Sequence, residues 1–341
     1  MSIFVRIAGC SVVNGGSFMR VSGIYYQASP FRQFILLLFL LIALLTFSSL
    51  IGLLLLVPIY GVSIIEKFSV LTDYSDPQVL GILKYFQIVN QIGMLILPAI
   101  IFAWLVGRMP FVYLRAHIPP GWRNLLLATL FVFASMPLIG WFVEFNEAMH
   151  LPPWLMGLEE WMKSAEDNAT KITEAFLLTS SFGGLAINIL MIAVLPAIGE
   201  EFLFRGVFMR LFISWLKNNH AGVWMAAFIF SAIHMQFYGF IPRLLLGAAF
   251  GYLFIWSNNI WVPVAAHFVQ NATSVVVAWL ASNGFISFSA EDFGQTENMF
   301  IIAASALLVA TFLFMVFKSR KVESKNEKVD PDIQIFRKSI L

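Results

Sequence analysis

The sequence has little of what a soluble or disulfide-rich protein needs. Its 341 residues include one cysteine, Cys10, and only 12% of them are charged. A single cysteine excludes an internal disulfide and any cysteine-based metal cluster, so we interpret Cys10 as a free thiol. The chain is 60% hydrophobic with a mean hydropathy of +0.83, whereas soluble domains are near half apolar and a quarter charged. This composition predicts an integral membrane protein.

Strong charge of one sign is also missing. The net charge of +2 says little about partners, because the distribution of charge matters more. We expect no nucleic-acid partner. The first thirty-odd residues mix glycine, serine and three arginines and lack the compact apolar segment of a cleavable signal peptide. We interpret residues 1–33 as a cytoplasmic leader, and the sequence leaves open whether Met1 or Met19 is the start.

Apolar runs long enough to cross a bilayer, about 17–25 residues, recur along the chain. We predict eight spans, at 34–58, 86–107, 124–145, 180–200, 221–237, 240–256, 260–281 and 298–317. Residues 200–216 carry charges and are predicted to continue the fourth helix toward the cytoplasm. With eight spans, the basic leader, the basic loops and the "KSRK" tail all lie in the cytoplasm, whereas nine spans would place that tail outside. We therefore expect both termini in the cytoplasm, with the chain in a bacterial inner membrane.

The predicted fold is an all-α polytopic membrane bundle of about eight transmembrane helices. Its expected parts are the leader (1–33), an N-terminal region of three spans (34–179), a membrane core (180–285), a last span (286–317) and a polar cytoplasmic tail (318–341). The loop at 146–179 combines acidic residues with tryptophans, which predicts an amphipathic interfacial segment. Gly247 and Gly251 form a GxxxG pattern, which indicates close helix packing.

Two adjacent carboxylates stand inside this membrane region, in the stretch "LPAIGEEFLFRG". An ionisable side chain within a span is costly and is therefore a functional candidate. Glu201 and Arg205 are four residues apart on a helix, so they can pair. Glu200 lies about 100° around the helix from Glu201, which leaves it free to point into the bundle.

Two further polar groups follow in the next apolar helices: His234, with Phe230 one turn earlier, and His267 with Asn271 four residues later. Helix lengths place Glu200 and His234 at nearly equal depth. His267 matches that depth less well, and would need tilted helices or a sunken turn near Asn259. Each group alone is explained by a charged helix end, by packing or by interhelical hydrogen bonds. All of them in successive helices are harder to explain in that way.

Such a set could support hydrolysis by either of two routes. Glu200 with His234 could activate a water as a general base, while His267 and Asn271 stabilise the oxyanion formed on the attacked carbonyl. Alternatively, Glu200, His234 and His267 could bind Zn²⁺, which lowers the pKa of a bound water. The sequence does not decide between zinc and no metal.

The three motifs resemble those of a known family. "EEFLFR", "FSAIH" and "HFVQN" are similar to the EExxxR, FxxxH and HxxxN motifs of the CPBP (CAAX protease, or Abi) intramembrane endopeptidases, which include the type II CAAX prenyl endopeptidases. The resemblance covers about residues 180–285. It implies a helical membrane core with a cavity reachable from the cytosol, and a protein or peptide substrate that is membrane-associated or lipid-modified.

The resemblance also implies roles for single residues. Glu200 would be the base assisted by His234, and His267 and Asn271 would stabilise the oxyanion. Glu201, Arg205 and Phe230 would support them.

Motifs of other intramembrane proteases, HExxH, GxGD and a GxSxG-like serine within a span, are absent from the sequence. Our leading hypothesis is therefore an intramembrane endopeptidase, either glutamate-dependent or metal-dependent. The alternative is a non-catalytic membrane scaffold, immunity protein, or ion- or solute-binding protein on the same fold. A transporter would be expected to have paired broken helices or an inverted repeat, and neither is seen. The sequence leaves the physiological substrate and the oligomeric state open.

Overall fold

The computed structural model describes residues 23–61, 73–288 and 293–326, and within them the chain folds entirely into helices, turns and loops. The helices are α1 Pro30–Tyr60, α2 Pro77–Gly107, α3 Pro110–Tyr113, α4 Trp122–Glu147, α5 Met156–Leu177, α6 Phe182–Leu216, α7 Asn219–Ala232, α8 Phe240–Ser257, α9 Trp261–Ser282 and α10 Met299–Asn326. A 3₁₀ turn, Pro153–Leu155, precedes α5. The predicted all-α class is confirmed. Most of the predicted leader and tail lies outside the described residues.

Seven of the described helices are long and apolar enough to cross a membrane. They are α1, α2, α4, α6, α8, α9 and α10. The chain is thus an integral membrane protein. The predicted span at 221–237 differs, because its helix α7 has 14 residues and ends at Ala232. At 1.5 Å per residue it is about 21 Å long, short of the hydrocarbon core of about 30 Å.

The long helix α6 carries the two adjacent glutamates. It runs unbroken for 35 residues from Phe182 to Leu216, as predicted for the continuation of the fourth span. Two π-helical segments, Ile189–Val194 and Glu201–Phe208, lie within it. The first ends two residues before Pro196, and a third π segment, Ile92–Ile96 of α2, likewise ends two residues before Pro98. Proline has no N–H to donate within a helix, and π-helical turns are common at functional sites.

One end of the bundle gathers basic side chains, and we call it the basic end. It holds Arg32, Arg108, Arg115, Arg123, Arg210, Lys217, Lys318 and Arg320. Hydrogen bonds join its parts: Asn259, in the α8–α9 turn, donates to the carbonyl of Ile118 at 2.8 Å, and Ser319 of α10 donates to Asn124 of α4 at 3.1 Å. The end of α6 is there too, because Trp215 packs on Phe31 of α1 with ring centroids 6.1 Å apart.

The opposite end, the acidic end, contains the end of α4, helix α5 and the α7–α8 loop. Its exposed carboxylates include Glu144, Glu147, Glu160 and Asp167. Lys84 of α2 donates to the carbonyl of Phe176 in α5 and to Oδ1 of Asn188 in α6, both at 2.8 Å. Since α6 finishes at the basic end and the α7–α8 loop lies at the acidic end, the chain crosses the bundle along α7 although that helix is short.

Helix α5 matches the amphipathic segment predicted for residues 146–179. Its Phe176 is buried, while Trp161 and the carboxylates of Glu160 and Asp167 are exposed. Trp161 packs against Phe237 of the α7–α8 loop, with ring centroids 5.6 Å apart. The helix therefore lies across the loop that carries His234.

Candidate active site

The floor of the site is the buried pair Glu201 and Arg205, whose side chains are 0% and 2% exposed. Nη1 of Arg205 donates to Oε1 of Glu201 at 2.8 Å, which confirms the predicted pairing along the helix. Nη2 donates to the backbone carbonyl of Gly247 on α8 at 2.9 Å. A buried ion pair needs such extra hydrogen bonds to offset its desolvation, so the Gly247 carbonyl is part of the arrangement.

Two aromatic rings enclose the guanidinium of Arg205. Its Cζ lies 4.8 Å from the ring centroid of Phe230 on α7 and 5.6 Å from that of Phe250 on α8. Arginine over an aromatic face gains a cation–π attraction. A Cβ on Gly247 would meet Cδ1 of Phe230 at 3.3 Å. The absence of a side chain at Gly247 therefore lets α8 approach α7 closely enough for this enclosure, as the GxxxG pattern predicted.

His267 is buried and is oriented by Glu201. Its Nδ1 lies 2.9 Å from Oε1 of that carboxylate. Because a carboxylate only accepts, Nδ1 carries the hydrogen, and in the neutral ring Nε2 is an acceptor. His267 reaches this depth because the α8–α9 turn is sunken, with Asn259 and Ile260 buried. A sunken turn near Asn259 is one of the two conditions under which we expected His267 to reach the depth of Glu200.

Glu200 lies beside this pair with its side chain partly exposed. Its Oε2 is 3.7 Å from Nε2 of His267, and 16% of its side chain is exposed. That separation is too long for a hydrogen bond. Among the described residues the two adjacent glutamates thus differ: Glu201 holds two donors, whereas the nearest titratable partner of Glu200 is one imidazole nitrogen.

His234 lies just beyond the end of α7. Its Nδ1 donates to the carbonyl of Phe230 at 2.6 Å, and the two rings are 4.8 Å apart. Burial, and then the charge of Arg243, lower the pKa of His234 to about 4. A neutral ring with Nδ1 bonded presents Nε2 as an acceptor.

The direct Glu200–His234 pair expected from helix lengths is not formed within the described part of the chain. The ideal-helix estimate placed His234 nearest to Glu200, but α7 ends two residues before it and the sunken turn brings His267 closer instead.

The loop that carries His234 is fixed by Asn146, the buried amide near the end of α4. Nδ2 of Asn146 donates to the carbonyl of Phe237 at 3.0 Å, and Oδ1 accepts from the N–H of Ile241 at 2.8 Å. One side chain thus satisfies a backbone carbonyl in the α7–α8 loop and a backbone N–H at the start of α8. Buried backbone groups need such partners.

Two charged side chains fix the same loop. Oε2 of Glu166, on α5, accepts from the N–H of Tyr238 at 2.8 Å. Arg243 donates to Oε1 and to the carbonyl of Gln236, at 2.7 and 3.1 Å. The position of His234 therefore depends on α4, α5 and α8 together.

Asn271 lies one turn beyond His267 on α9 and contacts a backbone group. Its Nδ2 donates to the carbonyl of Ile192 at 3.0 Å. Ile192 lies in the π-helical segment just before Pro196, and proline has no N–H that could reach this carbonyl. One amide N–H of Asn271 is thus engaged, and the other remains for a further acceptor.

The zinc set considered from the sequence does not fit this geometry. Among the described residues, no group of three or more histidine, cysteine or carboxylate side chains is placed to hold a metal ion. Glu200, His234 and His267 are therefore not brought together as three ligands, and no step below is routed through a metal.

The structure thus brings Glu200, Glu201, Arg205, Phe230 and His267 into one cluster, with Asn271 one helical turn away. Sequence reasoning missed Phe250 as a contact of His267, at 5.6 Å between centroids. It also missed Asn146 and Glu166, which lie far along the chain from the loop they hold. Phe250, three residues after Gly247, could have been found from the GxxxG helix face. Nothing local marked Asn146 or Glu166.

Comparison with known proteins gives two similarities. Residues 182–273, which carry all the site motifs, match the family described as type II CAAX prenyl endopeptidase Rce1-like. An uncharacterized protein of Bacillus subtilis (strain 168), YpbD, is 33% identical over 89 residues, which are 25% of this chain and 42% of that protein. The similarity thus spans less than half of that relative. No solved structure matches the chain.

The matched residues contain all of α6, α7 and α8 and more than half of α9, and hence the whole cluster around Glu200. The match supports a CAAX-type intramembrane protease in general. The resemblance found in the three motifs is confirmed for this part of the chain: residues 182–273 match the family described as type II CAAX prenyl endopeptidase Rce1-like.

Proposed function

We propose that this protein is an intramembrane endopeptidase that hydrolyses a peptide bond in a membrane-associated or lipid-modified protein or peptide. One observation carries the proposal. Glu200 has a partly exposed side chain and places Oε2 3.7 Å from Nε2 of His267, beside a buried network that orients that histidine. A carboxylate without a neutralising cation of its own, in a membrane helix, is costly unless it has a function.

In the proposed reaction Glu200 takes a proton from a water molecule, and the resulting hydroxide attacks the carbonyl carbon of the scissile peptide. The proton then passes to the amine that leaves as the C–N bond breaks. His234, neutral at physiological pH, offers Nε2 as an acceptor that orients the water. Each of these steps uses side chains of this chain only.

The oxyanion of the tetrahedral intermediate needs donors. We assign this role to the second amide N–H of Asn271 and to His267, whose Nε2 donates when the ring is doubly protonated. Glu201 supports that state because it accepts from Nδ1. Arg205 in turn fixes Glu201, and Phe230 packs on Arg205.

The proposal includes the membrane and its orientation. The basic end faces the cytoplasm of a bacterial inner membrane, together with both termini. Lysine and arginine near span ends favour the cytoplasmic side. With the eight predicted crossings, an even number, the C-terminal tail lies on the same side of the membrane as the N-terminal leader.

The test is a peptidomic comparison of membranes from cells that express the wild type or Glu200→Gln at matched levels. Gln keeps the size of Glu200 but cannot accept a proton from water. We expect new C-termini with the wild type alone. A parallel sample with a zinc chelator tests metal dependence, and chelator-resistant cleavage is expected.

Identical peptide profiles from the two proteins, both folded by their melting curves in detergent, would overturn the catalytic role of Glu200. The non-catalytic alternatives of a scaffold, an immunity protein or a binding protein would then be favoured.

A further inference from the structure

We propose that Gln270 binds the main chain of the substrate next to the scissile bond. The assignment rests on the proposed function, which supplies groups for the water and for the oxyanion but none for the peptide units on either side. Gln270 lies on α9 between His267 and Asn271, at one of the open positions of the HxxxN motif. The motif therefore gives it no role.

Four polar side chains share one face of α9. His267, Gln270, Asn271 and Ser274 are spaced i, i+3, i+4 and i+7, and residues at these spacings are neighbours along one side of a helix. Apolar runs, WVPVAA before them and VVVAWLA after them, make up most of the rest of α9. The polar face contains both α9 residues of the proposed active site and continues that site along the helix.

Three of these four side chains have a hydrogen-bond partner within the protein. Nδ1 of His267 donates to Glu201 at 2.9 Å, and Nδ2 of Asn271 donates to a backbone carbonyl of α6 at 3.0 Å. Oγ of Ser274 donates to the backbone carbonyl of Gln270 at 3.3 Å. The side chain of Gln270 differs, because its Oε1 is buried and has no partner among the described residues.

A buried acceptor without a partner is costly in a membrane helix. Glutamine in such a helix can bond across to a neighbouring helix, but Oε1 of Gln270 does not do so within the described part of the chain. A ligand that supplies a donor would offset the cost. Because the amide of glutamine both accepts and donates, it can bond the N–H and the carbonyl of a peptide main chain.

The spacing along α9 fits a peptide unit adjacent to the scissile one. Gln270 is displaced from His267 by about 4.5 Å along the helix axis, and successive peptide units of an extended chain lie about 3.4 Å apart. The oxyanion is assigned to His267 and Asn271. A glutamine side chain beside these two residues therefore reaches the next unit of the same chain.

Binding of a peptide to an inactive enzyme tests the assignment. The probe is a synthetic peptide of a segment that the wild type cleaves in the peptidomic comparison, and Glu200→Gln prevents its hydrolysis. Gln270→Met keeps the length of the side chain and removes its amide. In the Glu200→Gln background we expect Gln270→Met to raise the Kd of this peptide about tenfold, because hydrogen bonds to the main chain are lost.

Esters in place of single amides in the probe locate the contact. An ester replaces the N–H of one peptide unit by oxygen. On one side of the scissile bond it should raise the Kd about tenfold while Gln270 is present, and should have little effect in Gln270→Met. Esters that cost the same with and without Gln270, at both flanking units, would contradict a main-chain contact.

Stability and kinetics separate binding from a structural role. Because Gln270→Met removes a polar group without a partner, the melting temperature in detergent should not fall. In the otherwise wild-type enzyme KM should rise with little change in kcat, as for a contact made equally in the ground state and the transition state. A lower kcat with an unchanged KM would overturn the assignment. Gln270→Leu repeats each measurement in case Gln270→Met fails to fold.

The matched control is Gln91→Met on α2, because Oε1 of Gln91 is also buried without a partner among the described residues. Gln91 precedes the family-matched residues, and no site residue lies on its helix, so Kd and KM should stay unchanged. An equal loss of binding in Gln91→Met would show that the effect is not specific to α9, and would overturn the assignment.

The two proposals fail in different ways. Cleavage by the wild type with an unchanged Kd in Gln270→Met would overturn the role of Gln270 and leave the endopeptidase standing. No cleavage by the wild type would overturn the endopeptidase, and the role of Gln270 with it.

Discussion

At the scale of single residues, two neighbouring carboxylates have acquired opposite environments. Oε1 of Glu201 accepts from both Arg205 and His267, so its charge is neutralised and fixed. Glu200, one residue earlier, keeps a carboxylate with no hydrogen bond among the described residues. Because a buried ion pair is costly to break, the two glutamates should respond differently to the same substitution.

Glu201→Gln should destabilise the protein, and Glu200→Gln should not. Loss of the charge leaves the buried guanidinium of Arg205 without its carboxylate, at a cost of about 3–5 kcal/mol. The melting temperatures of both variants in detergent, compared with the wild type, measure this. Equal melting temperatures for Glu200→Gln and Glu201→Gln would contradict the division between a free and a structural carboxylate.

Asn271 should contribute to stability through the carbonyl of Ile192. Asn271→Ala removes this hydrogen bond, and we expect a loss of about 0.5–1.5 kcal/mol. In a Pro196→Ala background residue 196 regains an N–H, so the same Asn271→Ala change should cost less. Unfolding free energies of the two single variants and the double variant give the coupling. Strict additivity would show that Pro196 does not create the need for this amide.

At the scale of elements, the loop between α7 and α8 is where a predicted span becomes a short helix and a polar turn. Its backbone is held by side chains of three other helices, Asn146, Glu166 and Arg243. Since none of them belongs to α7, the position of His234 is a property of the surrounding elements.

Glu166→Ala should lower cleavage by moving the His234 loop, whereas Glu166→Gln should retain it. Glutamine keeps an oxygen that accepts from the N–H of Tyr238. Loss of one such hydrogen bond is worth about 0.5–1.5 kcal/mol, or roughly a two- to tenfold drop in rate. The measurement is kcat and KM for a substrate found by peptidomics, with hydrogen exchange at Tyr238.

The control is Glu160→Ala, which removes an exposed carboxylate of the same helix. It should change neither quantity. Faster exchange at Tyr238 in Glu166→Ala with an unchanged kcat would contradict the prediction. Glu166 would then hold the loop, but the position of the loop would not limit the rate of cleavage.

The start of α5 should respond to pH through Glu159. Its carboxylate accepts from Nδ1 of His150 and from the N–H of Leu151, both at 2.9 Å, and these bonds hold the pKa of Glu159 below its usual 4.5. A lowered folded-state pKa stabilises the protein above the usual value and loses that effect as the pH falls through the folded value. The melting temperature of wild type should therefore slightly exceed that of Glu159→Gln at pH 7.

That difference should shrink as the pH falls below the usual carboxyl range and vanish once the pH has passed below the lowered pKa of Glu159. Glu160→Gln, one residue along and exposed, serves as the matched control and should show no difference at any of these pH values. A difference that persists in acid would mean that the charge of Glu159 is not its cause.

A helix could be predicted well where its own sequence determines its ends, and poorly where contacts with other helices determine them. The spans predicted at 124–145 and 260–281 agree closely with Trp122–Glu147 and Trp261–Ser282, because apolar length alone sets them. The start of α2 at Pro77 was missed, although Asp76 caps it with a side-chain hydrogen bond to Gln78 at 2.7 Å, which is a sequence-level start signal. The end of α7 could not be predicted, because its causes are tertiary.

At the scale of the whole molecule, the site was predictable in composition but not in arrangement. Helical periodicity predicted that Glu201 lies beside Arg205 and that His267 lies one turn from Asn271, since each pair lies within a single helix. The relative depth of different helices depended on the buried turn at Asn259, which is fixed by Ile118. An estimate of depth from ideal helix lengths does not include that tertiary contact. It therefore predicted His234, and not His267, as the neighbour of Glu200.

The same contacts show that the family-matched residues are not a complete unit. Asn146, Glu166 and Ile118 all precede residue 182, yet they hold the His234 loop and the turn that sets the depth of His267. A chain of residues 180–341 alone should therefore insert into the membrane but lack cleavage activity. Coexpression with residues 1–179 should restore activity, because the missing contacts form between separately inserted helices.

The peptidomic assay on cells with the two pieces, separately and together, measures this restoration. The pair carrying Glu200→Gln is the matched inactive control. Activity from residues 180–341 alone would show that the N-terminal half is not needed to position the catalytic groups. Activity only in the pair would mean that the first three spans, outside the matched region, complete the site by holding its loop and its turn in register.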